Sequence, residues 1–194
     1  MHPFKFYLML GYDHISDLAG YDHILFLIAL CAIYRIQQWR NILILVTAFT
    51  IGHSITLILA SLDIFTISTK IIKFLIPLTI FITAFHNVIG SVSAEKPSKM
   101  GKNYIMALFF GIIHGMDFSN YFKALIMDPS DIVVPLLGFN IGIELGQLLV
   151  VFFIVGISFL FLNIIKIKHR EWNLFISGAA AGMSLLSMIE NKFW

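Results

Sequence analysis

The sequence predicts an all-α polytopic membrane protein, a bundle of about six transmembrane helices, and three observations predict it. Apolar residues (AVILMFWYC) make up 59% of the 194 residues and charged residues 12%, against roughly 25% charged in soluble domains. Mean hydropathy is +0.90. The apolar runs are long and continuous rather than alternating, which points to helices and away from a barrel. A globule of this size could not hide so much apolar surface from water, so disorder, a disulfide scaffold and an ordinary soluble enzyme are excluded. The net charge of +2 is scattered and leaves no nucleic-acid footprint. The single cysteine, Cys31, excludes an internal disulfide.

The whole chain, 1–194, reads as one transmembrane domain. Residues 1–10 hold one lysine and a short apolar stretch with no small-residue cleavage site, so they read as neither leader nor span. The first span falls at 17–34, with Asp22 and His23 near its start. Spans follow at 41–62, 71–92, 103–122, 132–163 and 172–191, each near the 20 or so residues that a membrane helix needs. The fifth apolar segment, 132–165, would reach about 50 Å as one helix, against a hydrocarbon core of about 30 Å. It must tilt, protrude or break, and if it breaks, Pro135 with its nearby glycines favours a place near the start. Loops after the odd-numbered spans carry Arg35, Arg40, Lys96, Lys99, Lys102, Lys166, Lys168 and Arg170. The other side carries Lys5, Lys70, Lys73, Lys123 and Lys192, along with Asp63, Asp128 and Asp131. That asymmetry predicts both termini outside, in the bacterial inner membrane.

Ionisable residues at membrane depth are expensive and are candidate functional residues by default. Gly11-Tyr12-Asp13-His14-Ile15 recurs as Gly20-Tyr21-Asp22-His23-Ile24. Each copy offers a carboxylate beside an imidazole, although Asp13 reads more simply as an interfacial acid. In the second span Thr50, His53 and Ser54 share one helical face. His86, with Thr79, Thr83 and Asn87 on its stripe, reads as a hydrogen-bonding residue between helices. In the fourth span His114 and Asp117 stand one turn apart, flanked by Gly111 and Gly115, which permit close helix approach. Asp117 sits near the outer interface. In the fifth, Asn140, Glu144 and Gln147 occupy one face, and Gly138, Gly142 and Gly146 form a small-residue seam on the other.

With both termini outside, these donors share the outer half of the bundle. His14, Asp22, His23, His53, His114 and Glu144 are therefore the candidate metal ligands. Thr50, Ser54, Asp117, Asn140 and Gln147 are candidate supporting groups. Imidazole suits nickel, zinc, copper or iron, and the absence of thiolate argues against copper(I).

Read together, these segments resemble the HupE/UreJ family of bacterial membrane proteins. The resemblance is carried by Gly11 with His14, by Gly20-Tyr21-Asp22-His23 running into Leu25-Phe26-Leu27, and by Phe49 to Leu57. Phe110 to Phe118 and Phe139 to Gln147 complete it. Met116 and Asp117 stand where the family usually has a small residue and glycine. The resemblance implies a permease for a divalent transition metal, nickel first and cobalt next. The ion would be captured by His14, Asp22 and His23 and carried deeper by His53, His114, Asn140 and Glu144. Expected partners are the metal ion and the lipid bilayer, with a homo-oligomer open and no nucleic acid. Two alternatives stand beside it: a metal-dependent intramembrane hydrolase with a His/Asp zinc site and Ser54, and a metal-binding structural or assembly subunit.

Overall fold

The computed structural model describes residues 2–62, 64, 68–93, 100–126 and 132–194. Those residues form seven α-helices and no strand. They are α1 Pro3–Ser16, α2 Asp22–Cys31, α3 Trp39–Ser61, α4 Thr69–Ser93, α5 Met100–Ala124, α6 Val133–Phe159 and α7 His169–Glu190. Four stretches, Ile36–Ser61, Thr69–Gly90, Val133–Ile164 and His169–Glu190, are long and apolar enough to cross a membrane. Helix α5 matches them in length at 25 residues, but Asn103, His114, Asp117 and Asn120 lower its hydropathy. The chain is an all-α membrane bundle, as its composition requires.

Two expectations about the elements need correction. The segment 17–34 is not one span. Helix α2 covers ten residues, about 15 Å, or half of a hydrocarbon core. The rest of the crossing is made by α1, which the short apolar run after Lys5 did not announce. Both helices run antiparallel to α5. Tyr7 meets Phe122, His14 meets Phe118, His23 meets His114, Phe26 meets Phe110, and Tyr34 accepts a hydrogen bond from Asn103. They are thus two halves of one crossing, interrupted by a tight turn at Leu18–Gly20. Asp17 leaves α1 in an extended conformation, and helix resumes only at Asp22.

The second correction concerns the long fifth segment. It does not break near Pro135. That proline stands in the first turn of α6, where an amide hydrogen has no helical partner to lose. The helix runs unbroken to Phe159, and its irregularity lies at the far end. There Leu160–Ile164 form a π turn, with the Ile165 amide reaching back 3.0 Å to the Leu160 carbonyl. Lys166 then takes a left-handed backbone conformation (φ 64°) that ends the helix.

The helices associate mainly as three pairs: α1 with α6, α3 with α5, and α4 with α7. The first two pairs are parallel and are made in the same way. A Cβ added to Gly11 would strike the Phe139 carbonyl, and one added to Gly142 would strike that of Leu8. A Cβ on Gly52 would strike the Leu108 carbonyl, and one on Gly111 that of Phe49. The glycines let backbone lie on backbone, replacing side-chain packing with main-chain contact. The third pair is antiparallel and polar at its seam. The Asn87 amide donates 3.4 Å to Ser177 Oγ, Asn173 donates 3.2 Å to the Asn87 carbonyl, and Asn87 also reaches across to α2, donating 2.7 Å to the Ala29 carbonyl.

The matching contacts reveal an internal repeat. Gly11-Tyr12-Asp13-His14 of α1 corresponds to Gly111-Ile112-Ile113-His114 of α5. Phe49-Thr50-Ile51-Gly52 of α3 corresponds to Phe139-Asn140-Ile141-Gly142 of α6. Because α1 opposes α5 and α3 opposes α6, the pseudo-two-fold axis lies across the helices, in the membrane plane. Each half lends its first helix to the other, so α1 pairs with α6 and α5 with α3. Both termini emerge at one face: Tyr7 donates to the carbonyl of Leu125 at the end of α5, and Trp194 meets Phe74 edge-on at the start of α4.

Candidate metal centre

Four histidines meet between two apolar clusters. Phe26, Phe49, Ala107 and Phe110 lie on one side, and Tyr7, Leu57, Phe122 and Phe139 on the other. Helix α1 supplies His14 from its last turn, α2 supplies His23 from its first, α3 supplies His53 and α5 supplies His114. The interruption of the first crossing is what makes this convergence possible. It folds His14 and His23 back to a ring separation of 4.7 Å, although nine positions apart in sequence they would lie far apart along a straight helix. His14 lies 5.6 Å from His53, and His23 lies 5.2 Å from His114. His53 and His114 are fully buried, His23 nearly so and His14 half-buried.

One ligating atom from each of His14, His23 and His53 falls within 4.8 Å of the others. Nitrogens bound to one ion at about 2.1 Å stand roughly 3–4 Å apart, so small ring rotations would close this trio on a metal. The strongest observation is what these nitrogens lack. His14 Nε2, His23 Nε2, both ring nitrogens of His53 and His114 Nδ1 are buried without a hydrogen-bond partner. Buried polar atoms are normally paired, and leaving one unpaired costs about 1–3 kcal/mol. A cluster of such atoms in a phenylalanine-walled space is what a transition-metal ion would satisfy.

His114 is prepared by a residue that the sequence reading did not count among the ligands. The Thr79 hydroxyl gives its hydrogen to the Ile76 carbonyl at 2.7 Å. With that hydrogen on the carbonyl, the hydroxyl oxygen, 3.0 Å from His114 Nε2, accepts. In that arrangement the ring hydrogen sits on Nε2, and Nδ1, buried and without a hydrogen-bond partner, keeps a bare lone pair. Thr79 is a positioning residue, and a hydroxyl one helix away carries no sequence signal that separates it from the many that merely bond their own backbone.

The remaining candidates fall outside the trio. Asp22 opens α2 beside His23, half-buried, and stands within electrostatic reach of Asp117, which is exposed and in turn feels Lys73. Glu144 is held by a different group. The Thr47 hydroxyl donates 2.7 Å to its Oε1, and Thr50 Oγ1 lies 2.7 Å from its Oε2. Thr50 Oγ1 is also 2.7 Å from Gln147 Oε1. The face that sequence spacing assigned to Glu144 and Gln147 thus meets α3 hydroxyls. Ser54 donates 2.7 Å to its own helix at the Thr50 carbonyl. Asn140 Oδ1 is buried and unpartnered. Cys31 lies within the apolar core.

Fold and site together define a class: a polytopic helical membrane protein with a buried imidazole cluster at a break in its first crossing. The chain belongs to the HupE/UreJ family, whose model, described as HupE / UreJ protein, matches residues 1–191. No curated protein and no solved structure matches it.

Proposed function

We propose that the protein is a transition-metal permease that carries nickel, and next to it cobalt, inward across the bacterial inner membrane. The observation that carries this reading is the set of unpartnered imidazole nitrogens of His14, His23, His53 and His114 on four helices. Imidazole donors without thiolate suit divalent nickel and cobalt. The family's association with nickel and cobalt transport supports the same substrate. Asp22 and Asp117 lie beside the cluster and would attract a hydrated cation toward it. His14, the least buried histidine, would take the ion first, and His23, His53 and His114 would replace its remaining water. An inside-negative potential drives such an ion inward. At about 150 mV it supplies about 7 kcal/mol for two charges. The basic residues Arg35, Arg40, Lys102, Lys166, Lys168 and Arg170 share the face opposite the termini, which supports termini outside and a cluster in the outer half.

The test is elemental analysis of the purified protein beside nickel uptake in reconstituted vesicles. Expected are nickel binding near one ion per chain and uptake that collapses in His53→Ala. A tightly held zinc with ester or amide hydrolysis and no uptake would replace this reading with the intramembrane hydrolase.

A further inference from the structure

The helices that frame one side of the histidine cluster also frame a second polar site. Helix α2 carries His23 and leads to Tyr34, α5 carries His114 and begins near Asn103, and α4 sets Thr79 beside His114. Asn103 stands about 16 Å along α5 from His114, toward the face opposite the termini. There Tyr34, Thr83, His86, Asn87 and Asn103 line a small cavity with room for about one water molecule. Phe26 and Phe110, each one turn from the histidine of its own helix, stand between cavity and cluster with buried rings 6.2 Å apart. Helix α4 carries polar groups past them. Thr79, Thr83 and Asn87 stand on successive turns of one face, and all three are buried. Thr79 Oγ1 lies 3.0 Å from His114 Nε2, and Thr83 donates 2.9 Å to the Thr79 carbonyl. The stripe thus runs from a ring of the cluster to the wall of the cavity.

The groups on that wall keep lone pairs to offer. The Asn87 nitrogen donates 2.7 Å to the Ala29 carbonyl and 3.4 Å to Ser177 Oγ. A backbone carbonyl only accepts, so this amide is fixed, and Asn87 Oδ1 is the atom left for the cavity. Tyr34 and Asn103 share a hydrogen bond of 2.8 Å, and the phenol oxygen keeps a lone pair whichever of them donates. Thr83 spends its hydrogen on the Thr79 carbonyl and keeps its lone pairs. Among the described residues His86 has no hydrogen-bond partner. We propose that His86, with the oxygens of Tyr34, Thr83 and Asn87, forms a second and weaker cation site, from which a divalent transition metal is released at the face opposite the termini. One imidazole among neutral oxygens suits nickel or cobalt, but holds them less tightly than four imidazoles. Lys102, within electrostatic reach of His86, loosens the hold further. Release requires affinity to fall along the path, because an ion held tightly at its exit would stay there. The place of this site on the route rests on the permease reading. Its capacity to bind a cation does not.

The test starts from purified protein whose histidine cluster has been filled with one equivalent of nickel. Further nickel chloride, at millimolar concentration, should slow acylation of His86 by diethyl pyrocarbonate several-fold, read by mass spectrometry of its peptide. Tyr34→Phe combined with Thr83→Val removes two oxygens with little change of shape, and should abolish that protection. In reconstituted vesicles His86→Ala should lose most nickel uptake while the cluster keeps its native affinity. His86→Asn, which retains a donor, should recover part of the uptake. Equal reactivity of His86 with and without further nickel would overturn the second site. Equal protection in the double variant would overturn it as well, leaving His86 an accessible imidazole that binds metal alone. Native uptake in His86→Ala would take the site off the route and overturn its role in release. If the native protein moves no nickel, the permease reading fails, and the acylation result still decides whether the cation site exists.

Discussion

At the scale of single residues, the histidine cluster works through what its neighbours withhold. Phe26, Phe49, Phe118 and Phe139 surround the rings and offer no hydrogen bond. Thr79, the one hydrogen-bond partner of these rings among the described residues, orients His114 rather than competing for its free nitrogen. Thr79→Val should therefore weaken nickel affinity by about tenfold, the lower end of what loss of an orienting partner costs at metal-bound histidines. Calorimetric titration would check this, with Thr79→Ser restoring affinity as the control. His86→Ala should leave affinity unchanged, because His86 lines a separate small cavity with Leu30, Tyr34, Asn87 and Asn103. The histidines stood out in the sequence because an imidazole inside a membrane segment needs a reason to be there. The separation of Glu144 from them did not. Helical spacing tells which face a residue occupies, and says nothing about which helix lies opposite.

At the scale of elements, the glycines carry the association. Gly52→Leu or Gly142→Leu would drive a side chain into a backbone carbonyl that cannot rotate away. The cost should reach at least the upper end of the roughly 1–3 kcal/mol of ordinary overpacking. Detergent melting curves and the yield of folded protein should both fall sharply. Gly178→Ala is the useful contrast: a Cβ there meets nothing, and the substitution should gain about 0.5–1 kcal/mol through helix propensity. Helices α3 to α7 were legible because each is a long apolar run bounded by charge or by Gly and Pro. The first crossing was not. Lys5 and the two Gly-Tyr-Asp-His copies dilute the apolar signal on both sides of the turn, so an apolar window slides past α1 and lands on α2. The same dilution marks the place where the backbone opens for the site.

At the scale of the whole molecule, both termini lie on one face, and the inverted repeat places the histidines between halves that run in opposite directions. Cysteines introduced beside Lys123 and Lys192 should be labelled from outside intact cells, and those beside Lys102 and Lys168 only after permeabilisation. Labelling with the sides reversed would place the cluster in the inner half. Two similar glycine-locked pairs, α1 with α6 and α3 with α5, are the natural rigid bodies of a transport cycle, each keeping its main-chain contacts while the surfaces between them shift. A reducible, disulfide-containing thiol cross-linker joining Phe118→Cys to Phe139→Cys would tie α5 to α6 across that boundary, where the native rings stack at 4.9 Å. It should arrest uptake, and reduction should restore it.

The exchange of first helices between the halves has a consequence for how the chain is made. Helix α1 leaves the ribosome before α2 to α5, and α6, which fills its glycine groove, only after them. Fourteen residues give α1 about 21 Å, too short to cross a bilayer alone. Until α6 arrives, α1 has no partner for the backbone surface around Gly11, and the metal site cannot close. A chain stopped at residue 126 should insert α3 and α5, which already have each other, and leave α1 open to protease in pulse-chase experiments. Supplying α6 and α7 as a separate polypeptide should then protect it. Assembly would be late, and the histidine cluster would form only after α6 has been made.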